Sequence, residues 1–148
     1  DDKLLLVLPA LPLRHLNIAN SIHMTEHGLA SCICRLRQLE SLDITGVYNV
    51  TDRVLHTLVG AESLKELTVG DFADIGEIPM EFTMEALRWL VVTSPSLMMV
   101  QFCLDGERSE QLKSSVRSLQ LLVGNKNRQR SLSRDVRRVD PLAEPPVH

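Results

Sequence analysis

The sequence contains few aromatic residues and few cysteines. Phe, Trp and Tyr make up 3% of its 148 residues, so the core has to be built from aliphatic side chains. Its three cysteines are an odd number without the spacing of a disulfide framework, which indicates reduced thiols in an intracellular protein, cytoplasmic or nuclear. The 44% of apolar and 24% of charged residues are otherwise typical of a globular domain.

A long apolar segment is also missing. The most apolar N-terminal run, residues 4–13, is interrupted by Pro9 and Pro12 and is too short to span a bilayer. Two acidic residues precede it where a signal peptide would have basic ones, and the chain starts without Met, as expected of a fragment or excised domain. We therefore expect no membrane partner.

Basic residues are scarce in the first 124 residues, which carry 10 Lys and Arg against 16 Asp and Glu. Because a phosphate backbone requires a basic surface, this imbalance argues against a nucleic-acid partner. Residues 125–148 reverse the sign, with 6 basic against 3 acidic residues, and their charge and proline content predict a disordered tail. Arg128 and Arg130 precede Ser133 in a pattern favoured by basophilic kinases, so Ser133 is a candidate phosphorylation site; the alternative is a plain solvated tail.

An internal repeat is the main feature that the sequence does contain. The pattern L-x-x-L-x-L, or a close apolar equivalent, starts at Leu13, Leu39, Leu64 and Leu97, with separations of 26, 25 and 33 residues. This alternation predicts one short strand in each of four units.

A helix is predicted after each strand. Thr25, Thr51 and Thr83 are suited to cap helices, and an acidic residue follows each within the first turn, where the helix dipole favours it. The apolar residues then recur at helical spacing: Leu29, Cys32 and Ile33; Leu55, Leu58 and Val59; Leu87, Leu90 and Val91; and, after Ser109, Leu112, Val116, Leu119 and Leu122 or Val123. Each unit is therefore a strand, a turn and a helix.

This unit resembles the leucine-rich repeat, and more narrowly the cysteine-containing subtype of F-box/leucine-rich-repeat proteins, the substrate receptors of cullin-RING ubiquitin ligases. The resemblance implies an α/β leucine-rich repeat solenoid of about four units over residues 1–124, with a parallel sheet on its concave face. The sequence departs from the subtype at the position of its cysteine, and no segment reads as an F-box. The residues at the cysteine position are Ser21, Val47, Phe72 and Asp105.

The resemblance implies a non-catalytic protein-interaction module, the substrate-recognition region of a ubiquitin ligase subunit. Its partners would be a ubiquitination substrate and, through sequence outside this chain, a cullin-RING adaptor. The alternative is a leucine-rich-repeat scaffold or structural repeat protein unrelated to ubiquitin ligation. Neither function requires a cofactor.

Two surfaces are candidates for partner binding. Residues that alternate with the buried leucines face the concave side of such a sheet, or are merely solvated there. The third unit is longer by about seven residues, and inserted loops in repeats often bind partners, although this one could be a tolerated insertion. The candidates are Asn17, Asp43, Thr45, Thr68 and Gln101 on the concave face, and Asp71, Phe72, Asp74, Glu77 and Glu81 in the loop.

Catalytic and metal-binding patterns are weak. His23 and His27 fit H-x-x-E-H, but the repeat makes Thr25 the helix cap and leaves His23 outside the helix, so a zinc-dependent hydrolase is disfavoured. Cys32 and Cys34 could join His27 in a metal site, yet Cys32 occupies a core position of its unit. We therefore predict no catalytic or metal-binding residues.

Neither end of the repeat array carries an evident polar cap. The N-terminal run is apolar, and no dedicated capping segment is recognisable after the fourth helix. Residues 1–124 alone are therefore expected to be marginally stable or to self-associate.

Overall fold

Strands and helices alternate along the chain. The computed structural model describes residues 2–70, 81–103 and 106–138, without the side chains of 106–109, 111 and 135–138. The helices are α1 (Asp2–Val7), α2 (Glu26–Ile33), α3 (Asp52–Thr57), α4 (Met84–Thr93) and α5 (Gly106–Arg138), and the strands are β1 (His15–Asn17), β2 (Ser41–Asp43), β3 (Glu66–Gly70) and β4 (Met99–Cys103). Short 3-10 helices continue α1 and α3, at Leu8–Ala10 and Leu58–Gly60.

The four strands form one parallel sheet in the order β1-β2-β3-β4. One register runs across it, so that Leu16, Leu42, Leu67 and Val100 are neighbours. The longer third spacing does not disturb this register, because the additional residues lie between β3 and α4. The predicted α/β class with a parallel sheet is confirmed.

The core lies between the sheet and a layer of helices. Leu42 and Leu67 are fully buried, and so are the helix residues Leu29, Leu55 and Leu87. Each helix packs on the next one in chain order, as each strand does. Burial of these large aliphatic side chains, each contributing ~1.5–3 kcal/mol, supplies the core that the shortage of aromatic residues requires.

The turns after the first two strands share one residue in a left-handed conformation. Asn20 and Gly46 have φ angles of 62° and 63°, in the left-handed region that favours Gly and Asn. They occupy matching positions of the two units. The repeat is therefore visible in the turns as well as in the strands.

A chain of hydrogen bonds joins the starts of successive helices. The first residue of one helix is acidic and accepts from the Thr that precedes the next helix. The Thr25 amide and hydroxyl donate to the Asp2 carboxylate at 2.9 and 2.7 Å, and those of Thr83 donate to Asp52 at 2.6 and 3.0 Å. The Thr51 hydroxyl donates to Glu26 Oε2 at 2.9 Å. These bonds give the acidic first residues of α1, α2 and α3 a role in joining successive helices.

The three Thr residues differ as helix caps. Thr25 Oγ1 accepts from the Gly28 amide at 3.0 Å and Thr83 Oγ1 accepts from the Ala86 amide at 3.1 Å, so these two caps are formed as predicted. Thr51 precedes α3 in an extended conformation, but its side chain makes no capping bond. The predicted cap at Thr51 is wrong in this respect: Thr25 and Thr83 bond the preceding carboxylate through both amide and hydroxyl, whereas Thr51 bonds Glu26 through its hydroxyl.

α5 continues beyond residue 124 to Arg138, whereas the sequence predicted a disordered tail from 125. Side-chain contacts explain this difference for residues 125–138; residues 139–148 lie outside the described part of the chain. The Lys126 ammonium donates to the carbonyls of Val91 and Ser94 at the end of α4, and Asn127 Nδ2 donates to Met98 O at 2.8 Å. These bonds hold the helix to the preceding unit.

α5 also covers the last described strand. Its residues Leu119 and Val123 are buried in the core, and Gln120 Nε2 donates to Val100 O on β4. The helix thus supplies a partner for one carbonyl of the last described strand, and the expectation that residues 1–124 alone are marginally stable or self-associate stays a prediction. At the other end, α1 packs on α2 with Leu5 buried, while Leu6 stays 73% exposed.

We expect Thr83→Ala to lower the free energy of unfolding by ~1–2 kcal/mol, since it removes both a cap and a bond to Asp52. Thr51→Ala should cost clearly less, because it removes the bond to Glu26 and no cap. Urea denaturation followed by circular dichroism measures both. Equal losses for the two variants would contradict this account of the caps.

Truncation after residue 124 should destabilise the chain more than truncation after residue 138. The shorter chain loses the bonds of Lys126 and Asn127, and bonds from a charged donor contribute ~1.5–3 kcal/mol each. Calorimetry of both forms beside the whole chain tests this. Arg128→Ala, a change at an exposed position of α5, is the control. It should change the melting temperature little, because it alters helix propensity without removing the bonds of Lys126 and Asn127. Superimposable melting curves for the two truncations would show the prediction to be wrong.

Candidate protein-interaction surface

Four of the predicted binding residues lie side by side on the open face of the sheet. Asn17, Asp43, Thr68 and Gln101 pair in register across β1 to β4, and we refer to them as the sheet-face row. Asn17 and Gln101 are exposed, and Asp43 and Thr68 are half-buried. The strands alternate buried and open positions, so this row faces away from the helices.

Hydrogen bonds hold one end of the sheet-face row. Asn17 Nδ2 donates to Asp43 Oδ2 at 3.3 Å, and the Thr45 amide donates to Asp43 Oδ1 at 3.0 Å. The Ala19 amide donates to Asn17 Oδ1 at 2.9 Å. Because both side chains bond to the backbone just beyond their own strands, their orientations are fixed before any partner arrives.

The other end of the row is less constrained. Gln101 Nε2 lies 3.2 Å from Met99 Sδ, a weak acceptor, so its amide remains available to a partner. Met99 is 42% exposed and adds apolar surface beside it. Met99 belongs to a second open row, in register with His15, Ser41 and Glu66. The face thus combines hydrogen-bonding groups with little formal charge.

Thr45 does not present its side chain as the sequence predicted. Its Oγ1 is buried and has no hydrogen-bond partner among the described residues. Its carbonyl accepts from the Asn20 amide at 2.8 Å, which ties together the turns after β1 and β2. Thr45 therefore serves the turn, and its hydroxyl is not displayed with the sheet-face row.

The predicted acidic loop lies almost entirely outside the described residues. Asp71, Phe72, Asp74 and Glu77 fall there, so their part in binding stays a prediction. Glu81 is described and is exposed, two residues before the Thr83 cap.

The histidine and cysteine patterns occupy different environments. His27 lies in α2, whereas His23 precedes the Thr25 cap. Cys32 is buried in the core, which raises the pKa of its thiol, and Cys34 is exposed. Within 2–70, 81–103 and 106–138, no three His, Cys, Asp or Glu side chains are grouped as metal ligands.

A basic stripe on α5 was not predicted from the sequence. Lys126, Arg130 and Arg134 follow one another at intervals of four residues, which places them on one side of a helix. Burial, and then the charge of Arg130, lowers the pKa of Lys126 to about 8. The interval of four was a readable signal, but the assumption of a disordered tail concealed it. Ser133 is exposed on the same helix, and its phosphorylation stays a prediction.

The length and the hydropathy of the described helices bear on whether they could span a membrane. None of them is both long enough and apolar enough to cross a bilayer.

Comparison with known proteins gives a likeness of fold. No protein-family model matches the sequence, and no curated protein matches it. Among solved structures, one titled Leiomodin-1 Actin-Binding Site 2 has a TM-score of 0.51 at 15% identity, and the match covers 92% of this chain and 96% of that chain. The tropomodulin C-terminal domain of Caenorhabditis elegans has a TM-score of 0.42 at 13% identity, over 90% and 99% of the two chains, which is too low to argue from.

These findings overturn the family that the sequence suggested. The assignment to the leucine-rich repeat proteins of the F-box type is wrong, and so is the role as a ubiquitin ligase substrate receptor, because the solved structure that shares this fold is a leiomodin domain. The leucine spacing predicted the strands and helices correctly, but it reflects burial and not membership of that family. At 15% identity, the likeness to the leiomodin domain shows the fold alone.

We expect Asp43→Ala to lower the free energy of unfolding by ~1–2 kcal/mol, because it leaves the Thr45 amide and Asn17 without their acceptor. Gln101→Ala should change stability by less than ~0.5 kcal/mol, since its amide contacts only a weak acceptor in the sheet-face row. Urea denaturation distinguishes the two. A large loss for Gln101→Ala would mean that this end of the row is structural and not free for a partner.

Proposed function

We propose that the chain is a non-catalytic, intracellular protein-binding domain and that the open face of its sheet is the binding surface. The observation that carries the proposal is the sheet-face row, which aligns two amides, a carboxylate and a hydroxyl across four strands. Hydrogen-bonding groups at a fixed strand spacing suit recognition of a polypeptide surface. We also propose that its strand–turn–helix units stack as a solenoid, which would make this face concave.

The size of the face indicates that the partner also contacts neighbouring surfaces. Four strands about 4.8 Å apart span roughly 14 Å, and strands of three to five residues add a similar length. A stable interface buries roughly 800 Å² on each partner, several times the area of such a patch. The surface around Glu81 and the surface of α5 are the further candidates.

Actin is the first partner to test. The leiomodin structure that shares this fold is titled an actin-binding site, and the match extends over nearly the whole of both chains. Of the two functions that the sequence suggested, this proposal is closer to the scaffold or structural protein without a link to ubiquitination. It is further from the ligase subunit. It depends on the fold and the surface, since the sequence identity is too low to transfer residues.

The test measures binding of the whole chain to actin monomers by ultracentrifugation and to filaments by cosedimentation. A double variant, Glu66→Lys with Gln101→Lys, changes two exposed residues of the sheet face. We expect it to weaken binding about tenfold or more, since one reversed and one added charge at an interface remove complementary contacts and add repulsion.

The matched control is Glu85→Lys with Gln38→Lys, the same two changes at exposed positions on α4 and in the turn before β2. It should leave the affinity within about twofold. If actin does not bind at all, actin is the wrong partner, and the two double variants are compared in crosslinking capture from cell extracts. Partners that are retained equally by both variants would contradict the assignment of binding to the sheet face.

A further inference from the structure

A groove lies at the end of the molecule where α5 passes the turn between α4 and β4. Its volume is about 590 Å³. It is lined by Pro95 and Ser96 from the turn and by Lys126, Arg130, Ser133 and Arg134 from α5. Neither the sheet-face row nor the hydrogen-bond chain at the helix starts contributes to it.

The groove is basic along its whole length. Lys126, Arg130 and Arg134 are spaced by four residues, and like charges at this spacing destabilise a helix by ~0.2–0.5 kcal/mol per pair. No Asp or Glu is among the described residues that line the groove. Three basic side chains therefore lie along one face of the helix, and no acidic side chain among the described lining residues compensates their charge.

Two further features indicate a site for an anionic ligand. Ser96 lines the groove, and its buried Oγ has no hydrogen-bond partner among the described residues. Lys126 is held at the inner end by the carbonyls of Val91 and Ser94, where burial and the charge of Arg130 disfavour its charged form. An incoming carboxylate would supply the missing negative charge beside Lys126 and Arg130.

We propose that this groove binds an acidic segment of a partner polypeptide. The proposal rests on the protein-binding function proposed above and adds a second contact surface with a stated chemistry. A volume of about 590 Å³ lies in the range of ~300–1,000 Å³ that accommodates ligands with many atoms, so several side chains fit where one inorganic anion would leave most of the space open. The three cations follow an elongated path, which suits successive Glu or Asp residues.

A nucleic acid fits less well. The first 124 residues carry 16 acidic against 10 basic residues, so a phosphate backbone leaving the groove would meet a surface that is acidic on balance. A short acidic peptide can end within the groove. Ser133 lies in the lining, and a phosphate there would add a charge of about −1.5 to −2 and compete with the peptide.

The test uses the whole chain and a fluorescein-labelled peptide of ten Glu residues, with binding followed by fluorescence anisotropy at low and at physiological salt. Arg130→Glu should weaken binding about tenfold, since it replaces a charge-assisted contact with a repulsion. Arg128→Glu is the matched control, because Arg128 is exposed on α5 and does not line the groove. It should change the affinity by less than about threefold. Ser133→Glu should weaken binding as well.

Circular dichroism of each variant shows whether α5 stays folded. Arg134→Gln gives a second groove variant, at an exposed position, that should also weaken binding of the peptide. Equal losses for Arg128→Glu and Arg130→Glu would overturn the proposal, because they would mean general charge attraction. Displacement of the peptide by inorganic phosphate at equal concentration would also overturn it, since the site would then recognise a single anion. Tighter binding of a single-stranded RNA of ten nucleotides than of the peptide would overturn the proposal too, because the groove would then prefer a nucleic acid.

Failure of this proposal can be distinguished from failure of the proposed function. Gln101→Lys on the sheet face should leave the affinity for the acidic peptide unchanged, because Gln101 lies outside the groove. Arg130→Glu tests the groove with the peptide alone, without any actin present. Binding of a partner could depend on the sheet face while Arg130→Glu leaves the affinity for the peptide unchanged. In that case the proposed function would stand and the proposal for the groove would be wrong.

Discussion

The common register of the four strands is the constraint on which the rest of the structure depends. It places one apolar residue of each strand beside its neighbours in the core: Leu16, Leu42, Leu67 and Val100. Because side chains alternate across a strand, the same register places the sheet-face row on the opposite side. A slip of one residue would exchange the two sets, which would bury amides and a carboxylate and expose leucines. Burial in the core therefore also determines which groups a partner can meet.

The strands, the helices and their order could be predicted because their signals are local. Alternation of leucines with polar residues marks a strand wherever it occurs, and a Thr followed by an acidic residue marks a helix start. The wrong family followed from the same pattern. Spacing of buried residues records the geometry of a strand, a turn and a helix, and a leiomodin domain at 15% identity shares that geometry. What identifies a family is carried by exposed residues, which the spacing does not specify.

Contacts between distant parts of the chain explain what the sequence did not reveal. Thr51 carries the same local signal as Thr25 and Thr83, and its hydroxyl likewise donates to an acidic residue of the preceding unit, yet it accepts no capping bond. Thr45 alternates correctly with its neighbours, but the turn that follows buries its oxygen. The second half of α5 is polar and has no apolar period, so composition predicted disorder. Its helix is held by Lys126 and Asn127, which bond to carbonyls more than 25 residues away in sequence.

Those contacts also join the two proposed binding surfaces mechanically. β4 contributes Gln101 to the sheet-face row, and the carbonyl of its neighbour Val100 accepts from Gln120 of α5. Six residues further along α5, the side chain of Lys126 donates to the Val91 carbonyl near the end of α4, at the inner wall of the groove. A partner bound to the sheet face and to the groove would therefore contact two elements, β4 and α5, that are joined by a hydrogen bond. Its two contacts would share a single loss of translational and rotational freedom, so each could be weak while the pair gives a stable complex.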